Sequence, residues 1–249
     1  MRRIAHLLFG SLCVIPIGCG DETEEAGAAS AALVAVCAES ASELPDDAWL
    51  CGVDRVVECD ARPGTASPAE IFVVSSDGCG DALMVEPGPF AVGEHQLTVR
   101  TNASDVCRSR LTVVDTTPPA ANPKSTQLWP PNHKLHRLSA ADCAGVVDSC
   151  DPELDVHFTG ASSDEPADGK GDGSHEPDIV FRDSRVVSLR AERQGTGNGR
   201  VYTLGWQARD RAGNLAEGNC LVEVPHDQSR RPTVADLPAY SVPAPAWLP

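Results

Sequence analysis

The chain has 249 residues, enough for one or two domains with hydrophobic cores, but only 4% are aromatic, so those cores must rest on Val, Leu, Ala and four Trp. Its formal net charge is −16. An acidic surface of that size repels phosphate backbones and anionic lipid, which excludes nucleic acid as an expected partner.

The N-terminus reads as an export signal. Met1-Arg2-Arg3 is a basic start, and residues 4–17 form an apolar run of signal-peptide length. The run ends in Ile15-Pro16-Ile17-Gly18-Cys19-Gly20, which resembles the lipobox of bacterial lipoproteins, with Pro16 where an aliphatic residue is usual. The resemblance implies cleavage after residue 18, lipidation of Cys19 and a membrane anchor. Gly20 after the Cys favours the outer membrane of a bacterial envelope. The alternative is an ordinary secretory signal cut near Ala26-Gly27-Ala28, which would release the protein. Residues 19–33 are small and acidic without apolar periodicity, as in a flexible tether.

Residues 34–116 are expected to form a first β module. Short apolar runs at 55–59 and 71–74 lie between Gly, Pro, Ser and Asp turns, and Phe90-Ala91-Val92-Gly93 leads into a longer strand. Leu97 and Val99 alternate, residues 102–105 turn, and Cys107, Ser109, Leu111 and Val113 alternate again.

Residues 117–228 repeat this pattern more strongly. Tyr202, Leu204, Trp206 and Ala208 fall on one face of a strand, and Thr203, Gln207 and Arg209 on the other. Asp210-Arg211-Ala212-Gly213-Asn214 is a turn. Cys220, Val222 and Val224 alternate up to Pro225, which cannot donate to a ladder. The second copy carries extra chain, mainly 162–199. Residues 229–249 contain Pro232, Pro238, Pro243, Pro245 and Pro249 and read as an extended or disordered arm.

Beyond Cys13 and Cys19 there are eight cysteines, an even number that implies disulfides in an exported chain. The internal repeat aligns Cys79 with Cys150 and Cys107 with Cys220, so the expected pairs are Cys79–Cys107 and Cys150–Cys220. Cys51–Cys59 and a cross-module Cys37–Cys143 are the pairs left over. No CxxC spacing supports zinc.

Several of these segments resemble a known family. Val57-Glu58-Cys59, Asp77-Gly78-Cys79-Gly80, Phe90-Ala91-Val92-Gly93-Glu94-His95 and the ending Val113-Val114-Asp115-Thr116-Thr117-Pro118-Pro119 resemble the HYR (hyalin repeat) domain. Leu128-Trp129-Pro130-Pro131-Asn132-His133, Gly197-Asn198-Gly199-Arg200-Val201-Tyr202 and Asp210-Arg211-Ala212-Gly213-Asn214 resemble an HYR or immunoglobulin-like module of bacterial surface proteins. The resemblance implies an all-β fold of two tandem immunoglobulin-like sandwiches without intrinsic catalysis. It also implies a role in adhesion, scaffolding or binding of an extracellular protein or glycan.

Asp164, Glu165, Asp168, Asp172 and Asp178 crowd a Gly-rich loop and could ligate Ca²⁺, which takes several carboxylate and carbonyl oxygens. The alternative is a solvated acidic loop, with Arg190, Glu192 and Arg193 in structural ion pairs. A calcium-dependent carbohydrate- or protein-binding module is therefore the second functional reading. A metal hydrolase built on His133, His136, His157 and His175 is the third. Residues 129–136 are expected to be extended, which sets His133 and His136 on opposite faces and argues against a two-His clamp. Trp129 is expected to cap the sandwich or to rest against a neighbouring strand rather than to bind a ligand. No nucleophile elbow, P-loop or dinucleotide fingerprint is present.

Overall fold

The computed structural model describes residues 32–45, 47–60, 65–66, 68–75, 81–169, 171–173, 175–228 and 233–246. The export signal, Cys19, most of the tether and Cys79 lie outside them. Residues 31–249 form one compact unit. The expected all-β fold, with sandwich modules in series, is the one observed. It holds two separate hydrophobic cores.

The first core is built by β1 (Val34–Ala38), β2 (Arg55–Glu58), β3 (Thr65–Ala66), β4 (Glu70–Val74), β5 (Phe90–Ala91), β6 (Gly93–Arg100) and β7 (Asp105–Val114). The order β2-β7-β6 makes one sheet, and β1-β4 and β3-β5 make two smaller pairs. β6 and β7 are the hairpin that alternation predicted: Leu97, Val99, Ser109, Leu111 and Val113 are buried. They meet Ile71 and Val73 of β4, Phe90 of β5, and Trp49 from the segment before β2. The indole N–H of Trp49 donates to Val53 O at 2.8 Å, so the ring is buried without stranding its polar atom.

The second core uses β8 (Ala120–Ala121), β9 (Thr126–Gln127), β10 (Leu135–Ser139), the short helix α1 (Ala140–Ala144), β11 (Val146–Val147), β12 (Asp155–Ser163), β13 (Ile179–Asp183), β14 (Val186–Arg190), β15 (Gly199–Arg209), β16 (Leu215–Pro225) and β17 (Tyr240–Pro243). A five-stranded sheet, β17-β12-β15-β16-β9, packs against a three-stranded sheet, β10-β14-β13. Tyr202, Leu204, Trp206 and Ala208 point into this core with Cys220, Val222 and Val224. The turn between β15 and β16 uses Gly213 for the left-handed residue, at φ 98°. Asp210 Oδ1 accepts from the N–H groups of Gly213 and Asn214 at 2.7 and 2.8 Å, which pins the turn.

The extra chain at 162–199 is not one long loop. Its second half is the β13–β14 hairpin, two of the three strands of the smaller sheet, and the acidic residues lie before it, between β12 and β13. The tail also differs from a disordered arm. Tyr240–Pro243 pairs antiparallel with Gly160–Ser163 and closes that edge of the large sheet. A proline-bearing strand is tolerated there because an edge strand leaves one row of N–H groups unpaired. Tyr240, Val242 and Ala244 also pack against the core. Truncation after residue 232 is expected to cost about 2 kcal/mol and to lower Tm by roughly 4–8 °C in a thermal melt.

The disulfides correct the expected pairing. Cys107 bonds Cys51, and Cys220 bonds Cys143, with Cα atoms 6.0 and 5.7 Å apart. Cys150 bonds Cys59, with Cα atoms 5.9 Å apart. Neither Cys79–Cys107 nor Cys150–Cys220 forms, because Cys107 and Cys220 are claimed elsewhere. Cys51–Cys59 and Cys37–Cys143 fail for the same reason. A sandwich disulfide joins strands or loops that face each other across the core, whereas the repeat compares only positions along the chain. The cross-module bond exists, but between Cys59 and Cys150.

Candidate functional site

The acidic loop closes the end of the second module away from the first. The β12–β15 register sets Ser163 opposite Tyr202, so the chain leaving β12 passes Val201 and then Arg200. Asp164 stays at the rim: Oδ1 accepts from Val201 N at 2.8 Å and Oδ2 from Asp236 N at 3.3 Å. Glu165 turns inward and is 7% exposed. Asp178 enters from the other sheet at the start of β13, where Arg190 N donates to its carbonyl at 2.9 Å. The ends of both sheets thus deliver carboxylates to one interior point.

That point holds Arg200, which is 0% exposed. Its Nε donates to Glu165 Oε2 at 3.3 Å, its Nη1 to Asp178 Oδ2 and, at 3.1 Å, to the Tyr202 hydroxyl. Nη2 donates to Pro166 O at 3.0 Å and lies 4.0 Å from Asp172 Oδ2. Arg190 adds a second charge, with Nε 3.3 Å from Asp178 Oδ1 and Nη1 on His133 O at 2.7 Å. Burial opposes the charge on Arg200, but Tyr202 and Asp178 outweigh it and hold the guanidinium firmly protonated.

Of the five loop acids singled out for Ca²⁺, the structure brings together Glu165, Asp172 and Asp178. The cation they surround is the Arg200 guanidinium. Asp164 makes backbone bonds at the rim, and Asp168 is exposed. Arg200 was not singled out by sequence, because an arginine at the start of a strand reads as a surface residue. The available signal was the imbalance itself: acids crowded beside a core strand need a buried cation.

Glu192 extends this network. It is 0% exposed, and its Oε2 lies 3.0 Å from His133 Nδ1. Burial pushes its carboxyl above the usual range, against the opposing pull of His133. His133 sits in the left-handed region at φ 61°, not in extended backbone as expected, and its ring lies 4.7 Å from that of His175. The four histidines do not converge as ligands: His136 is on β10 and His157 on β12. Among the described residues, no group of three close metal-ligand atoms includes a histidine. Trp129 is 40% exposed.

His157 is 4% exposed, and burial holds its imidazole below the usual range in spite of Asp155 and Gln207. The unfolded chain binds this proton more readily than the folded one. Stability is therefore expected to fall as pH drops below about 6.5 toward the depressed value. Urea titrations at stepped pH should show that His157→Gln flattens this slope.

A groove of about 270 Å³ opens on the first module, lined by Trp49, Arg55, Glu58, Asp60, Glu70 and Phe72. Asp47 brings its carboxylates to four, and the Arg55 guanidinium lies 5.8 Å from the Trp49 ring centroid. Among the described residues, no helix is long and apolar enough to cross a membrane.

No family model matches the chain, and no curated protein matches it. Among solved structures it is similar to a crystal structure of human protocadherin-24 EC1-2, with 15% identity, 69% of this chain and 92% of that chain covered, and a TM-score of 0.28.

Proposed function

We propose that this chain is a non-catalytic binding or scaffolding protein of the bacterial envelope, carried on a lipid anchor at Cys19. The observation that supports it most is the covalent frame. Three disulfides staple the two modules, one of them across the junction, and Cys37 is disulfide-bonded as well. Such a frame belongs to an oxidising compartment outside the cytosol. It resists shape change, as a spacer or docking platform requires. The acidic loop is spent on internal ion pairs with Arg200, which leaves the sheet faces and the groove beside Trp49 as the surfaces offered to a protein or glycan.

The test is intact mass of membrane-extracted protein, with and without reduction. A mass starting at Cys19 plus acyl chains, with eight thiols seen only after reduction, is the expected result. A lipid-free mass starting near Ala28 would make it a released protein. Free thiols in the unreduced sample would overturn the oxidised frame.

A further inference from the structure

The outer face of the large sheet carries a trench set by strand register. One row of outward positions across β17, β12, β15 and β16 is Ser241, Ser162, Thr203 and Leu221. The next row is Pro243, Gly160, Gly205 and Asn219. Two glycines thus stand abreast on neighbouring inner strands. Glycine inside a strand contributes no packing, and it marks places where a ligand or another backbone comes close. The β12–β15 register shifts between Phe158 and Gly160, a bulge that leaves Thr159 without an opposite partner and turns it outward. Thr159 leans over the glycine floor: a methyl group at Gly205 would sit 2.5 Å from Thr159 Oγ1 and 3.5 Å from Asn219 Oδ1. Two polar groups therefore converge above Gly205. With Ser162, Thr203 and Ser241 they line a groove of about 370 Å³, at the small end of ligand clefts.

The groove is uncharged in a chain of net charge −16: none of its described lining residues is Asp, Glu, Lys, Arg or His. Along the same face of β16, Glu217 and Glu223 stand beyond Asn219 and Leu221. Among the described residues, the side chains of Thr159, Ser162, Thr203, Asn219 and Ser241 make no hydrogen bond within the protein. Each hydroxyl can donate and accept, and so can the amide. The backbone of the floor is already spent on the ladders to β15, β16 and β17, so it has nothing to give an extended peptide. A basic side chain would find no carboxylate in the groove, and an acidic polymer is repelled by the net charge. An uncharged, hydroxyl-rich ligand matches both the charge and the hydrogen-bonding groups.

Building on the reading of this chain as a binding protein, we propose that the trench over Gly160 and Gly205 binds a short stretch of a neutral glycan. Thr159 and Asn219 meet the sugar over the floor, Ser162 and Thr203 wall one side, and Ser241 of the tail strand closes the end. No aromatic ring lines the groove for a sugar to stack on, so hydrogen bonds carry the recognition. Each is worth little net against water. The single-site Kd is therefore expected at about 0.1–1 mM.

The experiment uses the purified, oxidised chain labelled with ¹⁵N. It is titrated to about 10 mM with neutral tetrasaccharides of glucose, of mannose and of N-acetylglucosamine, and with tetragalacturonate as the anionic control. A neutral sugar is expected to shift the Gly160 and Gly205 amide signals saturably, and the anionic one to leave them in place. Asn219→Ala, at an exposed position, is expected to weaken binding about fivefold or more. Gly205→Thr, which raises a side chain from the floor, is expected to abolish it; if that variant does not fold, Asn219→Ala carries the test. Arg108→Ala, on the exposed face of β7, should change nothing. The proposal is overturned if no neutral sugar shifts those amides at about 10 mM, if tetragalacturonate binds as well, or if Asn219→Ala binds undiminished. It is also overturned if the amides move with protein concentration instead of sugar, which would make the face a contact between copies. An uncharged peptide rich in Ser and Thr that binds there in place of the sugars overturns it too. None of these outcomes alters the intact-mass result, so failure of the glycan site is distinct from failure of the anchored, oxidised frame.

Discussion

Arg200→Met is expected to be the most damaging single substitution in the chain, costing about 3–5 kcal/mol and about 10 °C or more in Tm. The methionine fills much of the space but carries no charge. Glu165, Asp172 and Asp178 then remain inside the sandwich without the guanidinium, and Glu192, already buried beside Asp178, keeps His133 but loses the attraction of Arg200. The Tyr202 hydroxyl loses one partner and keeps its bond to Arg190 O at 2.9 Å. Two further results distinguish a charge effect from a packing effect. The variant should be less destabilised in acidic buffer, where protons can relieve the stranded carboxylates, because a group that binds its proton more tightly when folded stabilises at low pH and loses that contribution as pH rises. Adding Asp178→Asn to Arg200→Met should recover part of the loss, whereas Asp178→Asn alone should destabilise. Urea unfolding of the four proteins in that cycle, at neutral and acidic pH, checks all of this. Additive losses that do not vary with pH would assign Arg200 a packing role only.

Breaking Cys59–Cys150 has the second-largest expected effect. The bond closes a separation of 91 residues, and the chain-entropy argument for a loop of that length gives roughly 4–5 kcal/mol, with 2–5 kcal/mol the usual measured loss. The double variant Cys59→Ala, Cys150→Ala should therefore unfold at lower urea. The shape of the transition is the more informative reading. Each module keeps its own core and its own internal disulfide, Cys51–Cys107 in the first and Cys143–Cys220 in the second. Without the bond between them, a single unfolding transition should split in two, and protease should cut first near residues 115–119. The polar tie between Glu58 and the linker remains in the variant: Thr116 N donates to Glu58 Oε1 at 2.6 Å, and this bond leads in holding the Glu58 carboxyl below its usual range. A single transition in the double variant would show that this tie and the 3.1 Å bond from Asn214 Nδ2 to Asp115 O couple the modules without the disulfide.

The two hairpins were legible because their signal is local. Alternation of Tyr202, Leu204, Trp206 and Ala208, or of Leu97 and Val99, follows from the two-residue period of a pleated strand, and the turn residues between the strands are neighbours in sequence. The all-β class follows from the same signal repeated along the chain. The short tail strand was not legible. Four residues with a proline show no pattern, and the partner that makes them a strand, Gly160–Ser163, lies far away in sequence. Helix α1 escaped for a similar reason: its five residues are held by the Ser139 cap and by the Cys143–Cys220 bond more than by any apolar period.

By itself, the sequence determined the acidic composition, the sandwich class, the two main hairpins and the presence of disulfides. Each depends on composition or on neighbours within a few residues. Only the tertiary structure decided which cysteines bond, that Arg200 is the cation inside the acidic loop, and that Gly160 and Gly205 stand abreast on the outer face of the large sheet. Those outcomes depend on which residues face one another across a core or at the end of a sheet. That is set by strand register and sheet packing over separations of tens of residues, which no local period encodes.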